Sequence, residues 1–309
     1  QSIMEWSNVK IDESAWTFDG QPTLTDTQVL QFCRDGFLFF EGAVPEEINE
    51  RTFDYLNRDI PVNPIHTPKG LSRKHLEETL NSNEPSAILL EEWFIKHVLL
   101  NPVAAGAVRS LLGENTGLPA LMSNHRVECP GLGDQGWHQD ADSFFVPETN
   151  YLQVFYYPQH TPKEMGPTEV VPGTHIMRNR QDHHWNESIS TASSAGSIFI
   201  TSYPIVHRRS QSTATGIRNL LKYNYWRTVP PERDWIAEPD FDFHMADYGG
   251  HVRSKYYAHM FYWLCGKGDE FRTIGGQSWP YSRYQNAIRK SYGFEPENGY
   301  TPDWSDHRY

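Results

Sequence analysis

Three stretches carry residue types that could do metal chemistry. The first is Gln135-Gly-Trp-His138-Gln-Asp140, in which a histidine and a carboxylate stand two apart. Alternate residues of an extended segment share a face, so His138 and Asp140 can be aimed at one point. The second is Gly196-Ser-Ile-Phe-Ile-Thr-Ser-Tyr-Pro-Ile-Val-His207, a strand-like run ending in a histidine, with Arg218 eleven residues further on. A third ligand from a distant strand would complete a two-histidine-one-carboxylate set, which leaves three positions open on iron(II). An arginine fork can pin a carboxylate through two parallel hydrogen bonds, and an oxo-acid chelating such a metal offers one at its far end. The third stretch, Gly166-Pro-Thr168-Glu-Val-Val-Pro-Gly-Thr-His175, reads as a strand closed by a Pro-Gly turn. With 14 histidines in an Asp-rich chain, about one His-x-Asp is expected by chance. A surface pair beside an unrelated core histidine is therefore the alternative reading.

The elements that must hold these residues follow from local patterning. Thr25-Asp-Thr-Gln28 is a capping box opening a helix that carries Val29, Leu30 and Phe32 and closes near Gly36. Phe37-Leu-Phe-Phe40 reads as a short buried strand, and Pro45-Glu-Glu opens a second helix. Residues 61–85 read as a long loop, followed by helices over about 86–99 and 102–112, the latter between Pro102 and Gly113. From Leu118 the texture changes to short strand-like runs, at 120–128, 151–157, 168–172, 196–201 and 217–226. Helices first and strands after predict a mainly β fold with flanking helices, an antiparallel jelly roll (double-stranded β-helix, cupin-like). The expected organisation is one catalytic domain over 1–309: a helical buttress to about 117, a core over 118–227, and an irregular wrapping segment or lid over 228–309.

Composition narrows the function classes. The chain has 309 residues with 10 Trp, 16 Tyr and 16 Phe, too aromatic for a disordered chain. A net charge of −12 argues against a nucleic-acid partner. No apolar run approaches the roughly 20 residues of a membrane span. Gln1-Ser-Ile-Met-Glu-Trp lacks the layout of a secretory signal, and Cys33, Cys129 and Cys265 form neither a disulfide framework nor a metal spacing. A cytoplasmic, reducing location is the expectation. Cys129 reads as a small core residue, His183-His184 as a solvated loop, and His125 as a packed or substrate-facing histidine.

In order and spacing, His138-x-Asp140, Gly166…Pro172-Gly-Thr-His175 and His207 with Arg218 resemble the phytanoyl-CoA dioxygenase family of iron(II)/2-oxoglutarate-dependent oxygenases. Leu24-Thr-Asp-Thr-Gln…Phe32-x-x-Asp-Gly36-Phe matches that family's opening helix and strand, and the resemblance covers roughly residues 23–227. It implies His138, Asp140 and His207 as iron ligands and Arg218 as the partner of the distal 2-oxoglutarate carboxylate. Gln135 and Thr168 fall where members place polar contacts to that co-substrate. The implied reaction uses Fe(II), 2-oxoglutarate and O2, releases succinate and CO2, and hydroxylates, desaturates, epoxidises or cyclises a small molecule. Three features depart from the family pattern: Met165 before Gly166, Gln159-His160 in place of an acidic pair, and Arg208-Arg209 after His207. The last pair could alter the cavity beside the metal. A jelly-roll metalloenzyme that does not use 2-oxoglutarate and a non-catalytic jelly-roll binding protein are the rival readings.

Along the strand opened by Arg218, alternation would send Leu220, Lys222, Asn224 and Trp226 into the barrel and Leu221, Tyr223 and Tyr225 toward a covering layer. An inward Lys222 needs an acidic partner or a ligand carboxylate. The alternative is that a bulge turns it to solvent.

Overall fold

The computed structural model describes residues 18–57, 85–119, 122–130, 133–140, 143, 147–176, 187–241 and 254–268. Nearly all of the loop expected over 61–85, and the His183-His184 pair, lie outside them.

Helix α1 (Asp26–Asp35) starts as its capping box predicts: Thr25 Oγ1 accepts from the Gln28 amide, and Gln28 Oε1 accepts from the Thr25 amide. It stops at Gly36, whose left-handed φ of 80° suits glycine. A Cβ there would also stand 2.4 Å from the ring of His175, so the site is closed to other residues. Strand β1 (Phe37–Phe40) and helix α2 (Glu46–Asn57) follow. The helix expected over 86–99 is instead three pieces: a 3₁₀ segment at Pro85–Leu90, a short helix α3 (Glu92–Phe94) and a π turn at Ile95–Leu99. Glu91 breaks the register with an extended backbone (φ −83°, ψ 114°), while its carboxylate accepts from Trp93 Nε1. Helix α4 (Pro102–Leu112) is capped by Asn101, whose side chain accepts from the amides of Val103 and Ala104.

The strands are β2 (Met122–Asn124), β3 (Val127–Cys129), β4 (Tyr151–Tyr157), β5 (Thr168–Val170), β6 (Ile189–Ser190), β7 (Ser197–Ser202), β8 (His207–Arg209), β9 (Gly216–Arg218) and β10 (Leu221–Trp226). One sheet runs β1-β7-β4-β10-β2, and the facing layer is built from β6-β5-β8 and β3-β9, with every pair antiparallel. This is the jelly roll, mainly β with flanking helices, that the pattern of runs predicts.

Two expected strands prove to be bent. The run 120–128 divides into β2 and β3, and 217–226 into β9 and β10, so each contributes to both sheets. Side-chain amides replace the interrupted ladder at the corner. Asn124 Nδ2 donates to Asn219 Oδ1 at 2.9 Å and Asn124 Oδ1 accepts from the Leu220 amide. Gln159 accepts from the Asn219 amide and donates to its carbonyl. That is the use the fold makes of Gln159, one of the departures from the family pattern.

The larger sheet is covered on both faces, which is why β4 is buried almost throughout instead of alternating. One face (Leu152, Val154, Tyr156, Ile198, Ile200, Leu221, Tyr223, Tyr225) packs against α1, α2 and α4. The other points into the barrel, where Phe155, Tyr157, Phe199 and Leu220 cluster with Phe39. Phe155 and Phe199 stack with centroids 4.4 Å apart, and each buried Phe contributes about 2–3 kcal/mol of apolar transfer.

The segment after β10 is not simply irregular, as its sequence suggests. It contains helix α5 (Ser254–Leu264), whose Tyr257, Ala258, Met260, Phe261 and Leu264 join the core. The chain leading to it is anchored on Asp26, a fully buried carboxylate that accepts from Arg233, from Trp235 Nε1 and from the Glu238 amide. No helix among the described residues is long and apolar enough to cross a membrane.

Candidate metal centre

His138 lies on an extended segment that meets the start of β8 in a single antiparallel bridge, its backbone paired in both directions with His207. It is not part of a regular strand, but the pairing does what a strand would: the two rings stand with centroids 4.4 Å apart. Each ring is held from behind. His138 Nδ1 lies 2.9 Å from the Gly136 carbonyl and His207 Nδ1 lies 3.0 Å from the Ile205 carbonyl. A carbonyl only accepts, so both Nδ1 atoms carry the proton and both Nε2 lone pairs are left to point forward. They point at Asp140 Oδ1, which is 3.9 Å from His138 Nε2 and 3.7 Å from His207 Nε2. One donor atom from each of the three residues falls within 4.8 Å of the others, a spacing that one metal ion can bridge.

The electrostatics suit a divalent cation. Burial alone would raise the Asp140 carboxyl, but the Lys222 ammonium, His207 and hydrogen bonds from Lys222 and Gln153 outweigh it and bring it down to about 2. Burial pushes the His207 imidazole down to about 4, opposed only in part by Asp140. At neutral pH Asp140 is thus a carboxylate and His207 a neutral imidazole, the states in which they bind metal.

Lys222 is inward, not turned to solvent. Its Nζ is 2.5 Å from Asp140 Oδ2, so the acidic partner it requires is the carboxylate of the metal set. Leu221, Tyr223 and Tyr225 face the helical layer as alternation predicts.

Arg218 ends β9, paired with Val127 of β3, and is 1% exposed. Its Nη1 donates to the Gly166 carbonyl and its Nη2 to the His125 carbonyl at 3.0 Å, while the buried Nε has no partner. Among the described residues no carboxylate pairs with it. A buried guanidinium without a counter-charge is costly, and an incoming carboxylate would supply one. His125 lies between the two cations: surrounding protein, then Lys222 and Arg218, hold its imidazole down to about 3, hence neutral.

Thr168 is buried at the start of β5, two residues along the ladder from the Val170–His207 pair, and its amide donates to the Tyr157 hydroxyl in the barrel. Gln135 is exposed at the rim, where its side chain accepts from the Arg209 amide at 3.2 Å. The fold therefore brings His138, Asp140 and His207 together, sets Arg218 and Thr168 inside the barrel, and leaves Gln135 outside it. Arg208 does not enter the cavity. It points outward to Glu169 at 2.6 Å and lies over Trp137 at 4.4 Å, bracing the two segments that carry the histidines. His175, from the Pro-Gly-Thr-His turn, is a structural pin whose Nε2 lies 2.9 Å from the Cys33 carbonyl. Gln153, which donates to Asp140 Oδ2, escaped the sequence reading. The signal was present: it is the one amide in an otherwise apolar, aromatic strand, Tyr151-Leu-Gln-Val-Phe-Tyr-Tyr157.

Comparison with known proteins completes the description. The sequence profile of the phytanoyl-CoA dioxygenase family (PhyH) matches residues 32–219, more than half of the chain. No curated protein matches by sequence. Among solved structures, the apo form of the non-heme monooxygenase ThoJ superposes with a TM-score of 0.49 at 18% identity, covering 78% of this chain and 95% of that one. EctD from S. alaskensis with bound Fe gives 0.47 at 16% identity over 69% of this chain and 79% of that one. The α-ketoglutarate-dependent epimerase SnoN gives 0.46 at 15% identity over 64% and 81%.

Proposed function

The chain belongs to the phytanoyl-CoA dioxygenase family, and on that premise we propose that it is a non-haem iron(II)/2-oxoglutarate-dependent oxygenase acting on a small organic molecule. The observation that carries the reading is the pairing of a three-donor set, His138, Asp140 and His207, with the buried guanidinium of Arg218, which has no carboxylate partner among the described residues. A metal site alone would fit many enzymes. A metal site with a buried cation in the same barrel fits a co-substrate that is both chelator and carboxylate.

Iron(II) held there would supply O2 activation coupled to decarboxylation of 2-oxoglutarate to succinate and CO2, and the oxidising power to attack a substrate C–H bond. The protein does the rest. His138 and His207 offer Nε2 with their rings fixed through Nδ1, and Asp140 offers Oδ1, leaving three positions for the reactants. Arg218 receives the distal carboxylate, which neutralises its charge and sets the orientation of the co-substrate. Thr168 lies along the same wall and is assigned a polar contact to it. Gln135 acts from the rim, by holding the backbone of Arg209, the last residue of the β8 strand that starts with His207. A carboxylate at position 140 occupies the place that a halide would need, so the reaction is oxygenation in the broad sense (hydroxylation, desaturation, epoxidation or ring closure) and not halogenation.

The test is uncoupled turnover. The iron-loaded protein should release succinate from 2-oxoglutarate in an O2-dependent manner, and a metabolite panel that accelerates the release would then identify the substrate. Absence of any iron- and O2-dependent succinate release across such a panel would favour a metalloenzyme that does not use 2-oxoglutarate.

A further inference from the structure

Two residues with no assigned role end on the same atom. Lys222 Nζ lies 2.5 Å from Asp140 Oδ2, and Gln153 Nε2 donates to that oxygen at 3.3 Å. The other oxygen, Oδ1, is the one that faces the two histidine Nε2 atoms. The two side chains come from neighbouring strands: in the β10–β4 ladder Lys222 is opposite Phe155 and Asn224 opposite Gln153, so they stand on one inward face, one step apart. Lys222 lies beside the Phe155 ring, with Nζ 5.6 Å from its centroid, which restricts where the ammonium can go. Gln153 is 1% exposed, and its Oε1 is buried without a partner. Turning the amide over would set that oxygen against a carboxylate, so the residue keeps an unsatisfied acceptor in order to present its N–H to Asp140.

A carboxylate that offers one oxygen fills one coordination position, and one that offers both fills two. We propose that Lys222 and Gln153 are positioning residues that cap Oδ2, restrict Asp140 to one-oxygen ligation, and thereby keep open a third position beside the two that a two-point chelator fills. The inference rests on the metal reading of His138, Asp140 and His207, and it extends that reading to the number of positions available. It also carries a sign that a merely supporting role would not. The Lys222 ammonium repels a metal cation, so losing the cap leaves metal affinity unchanged or raised while it costs one exchangeable position.

The test uses Mn(II) as the probe, in Lys222→Met, Gln153→Met and the double variant, with Lys222→Arg as the conservative control. Water-proton relaxation per bound Mn(II) counts exchangeable positions. It should fall by about a third in the double variant, as three open positions become two, and by less in the single variants, which serve if the double one does not fold. With 2-oxoglutarate bound, the one exchangeable position that remains in wild type should vanish in the double variant, and Lys222→Arg should restore both relaxation values. Unchanged relaxation in every folded variant would overturn the proposal, as would Mn(II) binding weakened in the Lys222→Met variant. A wild type that takes up Mn(II) but ignores 2-oxoglutarate would overturn the oxygenase reading alone, since the relaxation comparison still decides the cap. A wild type that takes up no Mn(II) would overturn both.

Discussion

Replacing Arg218 by alanine removes a side chain that is 1% exposed and that donates to the carbonyls of Gly166 and His125. If the guanidinium receives the distal carboxylate of 2-oxoglutarate, the loss in co-substrate binding is that of truncating one partner of a buried charge pair, about 2–5 kcal/mol. The surroundings keep it off the bottom of that range. Lys222 is engaged by Asp140, and burial and then Lys222 hold His125 neutral even without Arg218, so neither neighbour supplies a replacement charge. A loss of about 2.8 kcal/mol is a hundredfold in Kd, and we expect at least that. An Arg218→Lys variant, which keeps the charge but not the fork, should fall between wild type and alanine. The assay is anaerobic titration of the iron(II)-loaded variants with 2-oxoglutarate, alongside urea unfolding to show that each is folded. A folded Arg218→Ala protein with a Kd within threefold of wild type would refute the reasoning and make Arg218 a structural link between β3, β9 and Gly166.

Four further outcomes follow from the geometry. His138→Ala, Asp140→Ala and His207→Ala should each abolish the one-per-chain iron stoichiometry measured by metal analysis after gel filtration, and wild type supplied with chloride should form no chlorinated product; a ligand variant that keeps full iron would remove that residue from the set. Asp26→Ala should destabilise the fold by about 2–3 kcal/mol in urea unfolding, because it leaves Trp235 Nε1 and the Glu238 amide without their acceptor, whereas a loss below about 0.5 kcal/mol would make that anchor incidental. Burial, opposed in part by the Cys33 carbonyl, pushes the His175 imidazole down to about 4 from its usual 6.5. The unfolded chain therefore takes up the proton first, so this contribution to stability is complete above pH 6.5 and is lost as pH falls toward 4, at about 1.4 kcal/mol per pH unit; urea unfolding of metal-free protein should show a shallower acid slope in His175→Gln than in wild type, and equal slopes would count against the pin.

What could be read in advance was whatever depends on neighbours in sequence or on strict alternation. The Thr25–Gln28 box, the Gly36 stop and Pro102 with Gly113 are local rules, and each bounds the helix it should. Alternation along β10 correctly divided Leu221, Tyr223 and Tyr225 from Lys222, because a fully covered sheet admits no slip in register. The bends at Asn124–Arg126 and Asn219–Leu220 were hidden because strand-forming residues run through both, and the amides that make the corner come from three separate segments. Helix α5 was hidden by its own composition: Tyr257, Phe261, Tyr262 and Trp263 leave it almost no polar face to set a period. The Asp26 anchor joins residues 207 apart, and Gln153 acquires its role only once β4 and Asp140 are side by side. The anchor has no local signature, and the lone amide in β4 marks Gln153 without pointing to its partner.

An anaerobic optical titration of the iron(II)-loaded wild type with 2-oxoglutarate tests metal and co-substrate together. Chelation of iron(II) by the oxo-acid should produce a visible absorption band that saturates at one co-substrate per iron, and that is absent from the His207→Ala protein and from wild type given succinate. An iron-loaded, folded wild type that develops no such band at millimolar 2-oxoglutarate would contradict the central claim and leave a metal site without this co-substrate.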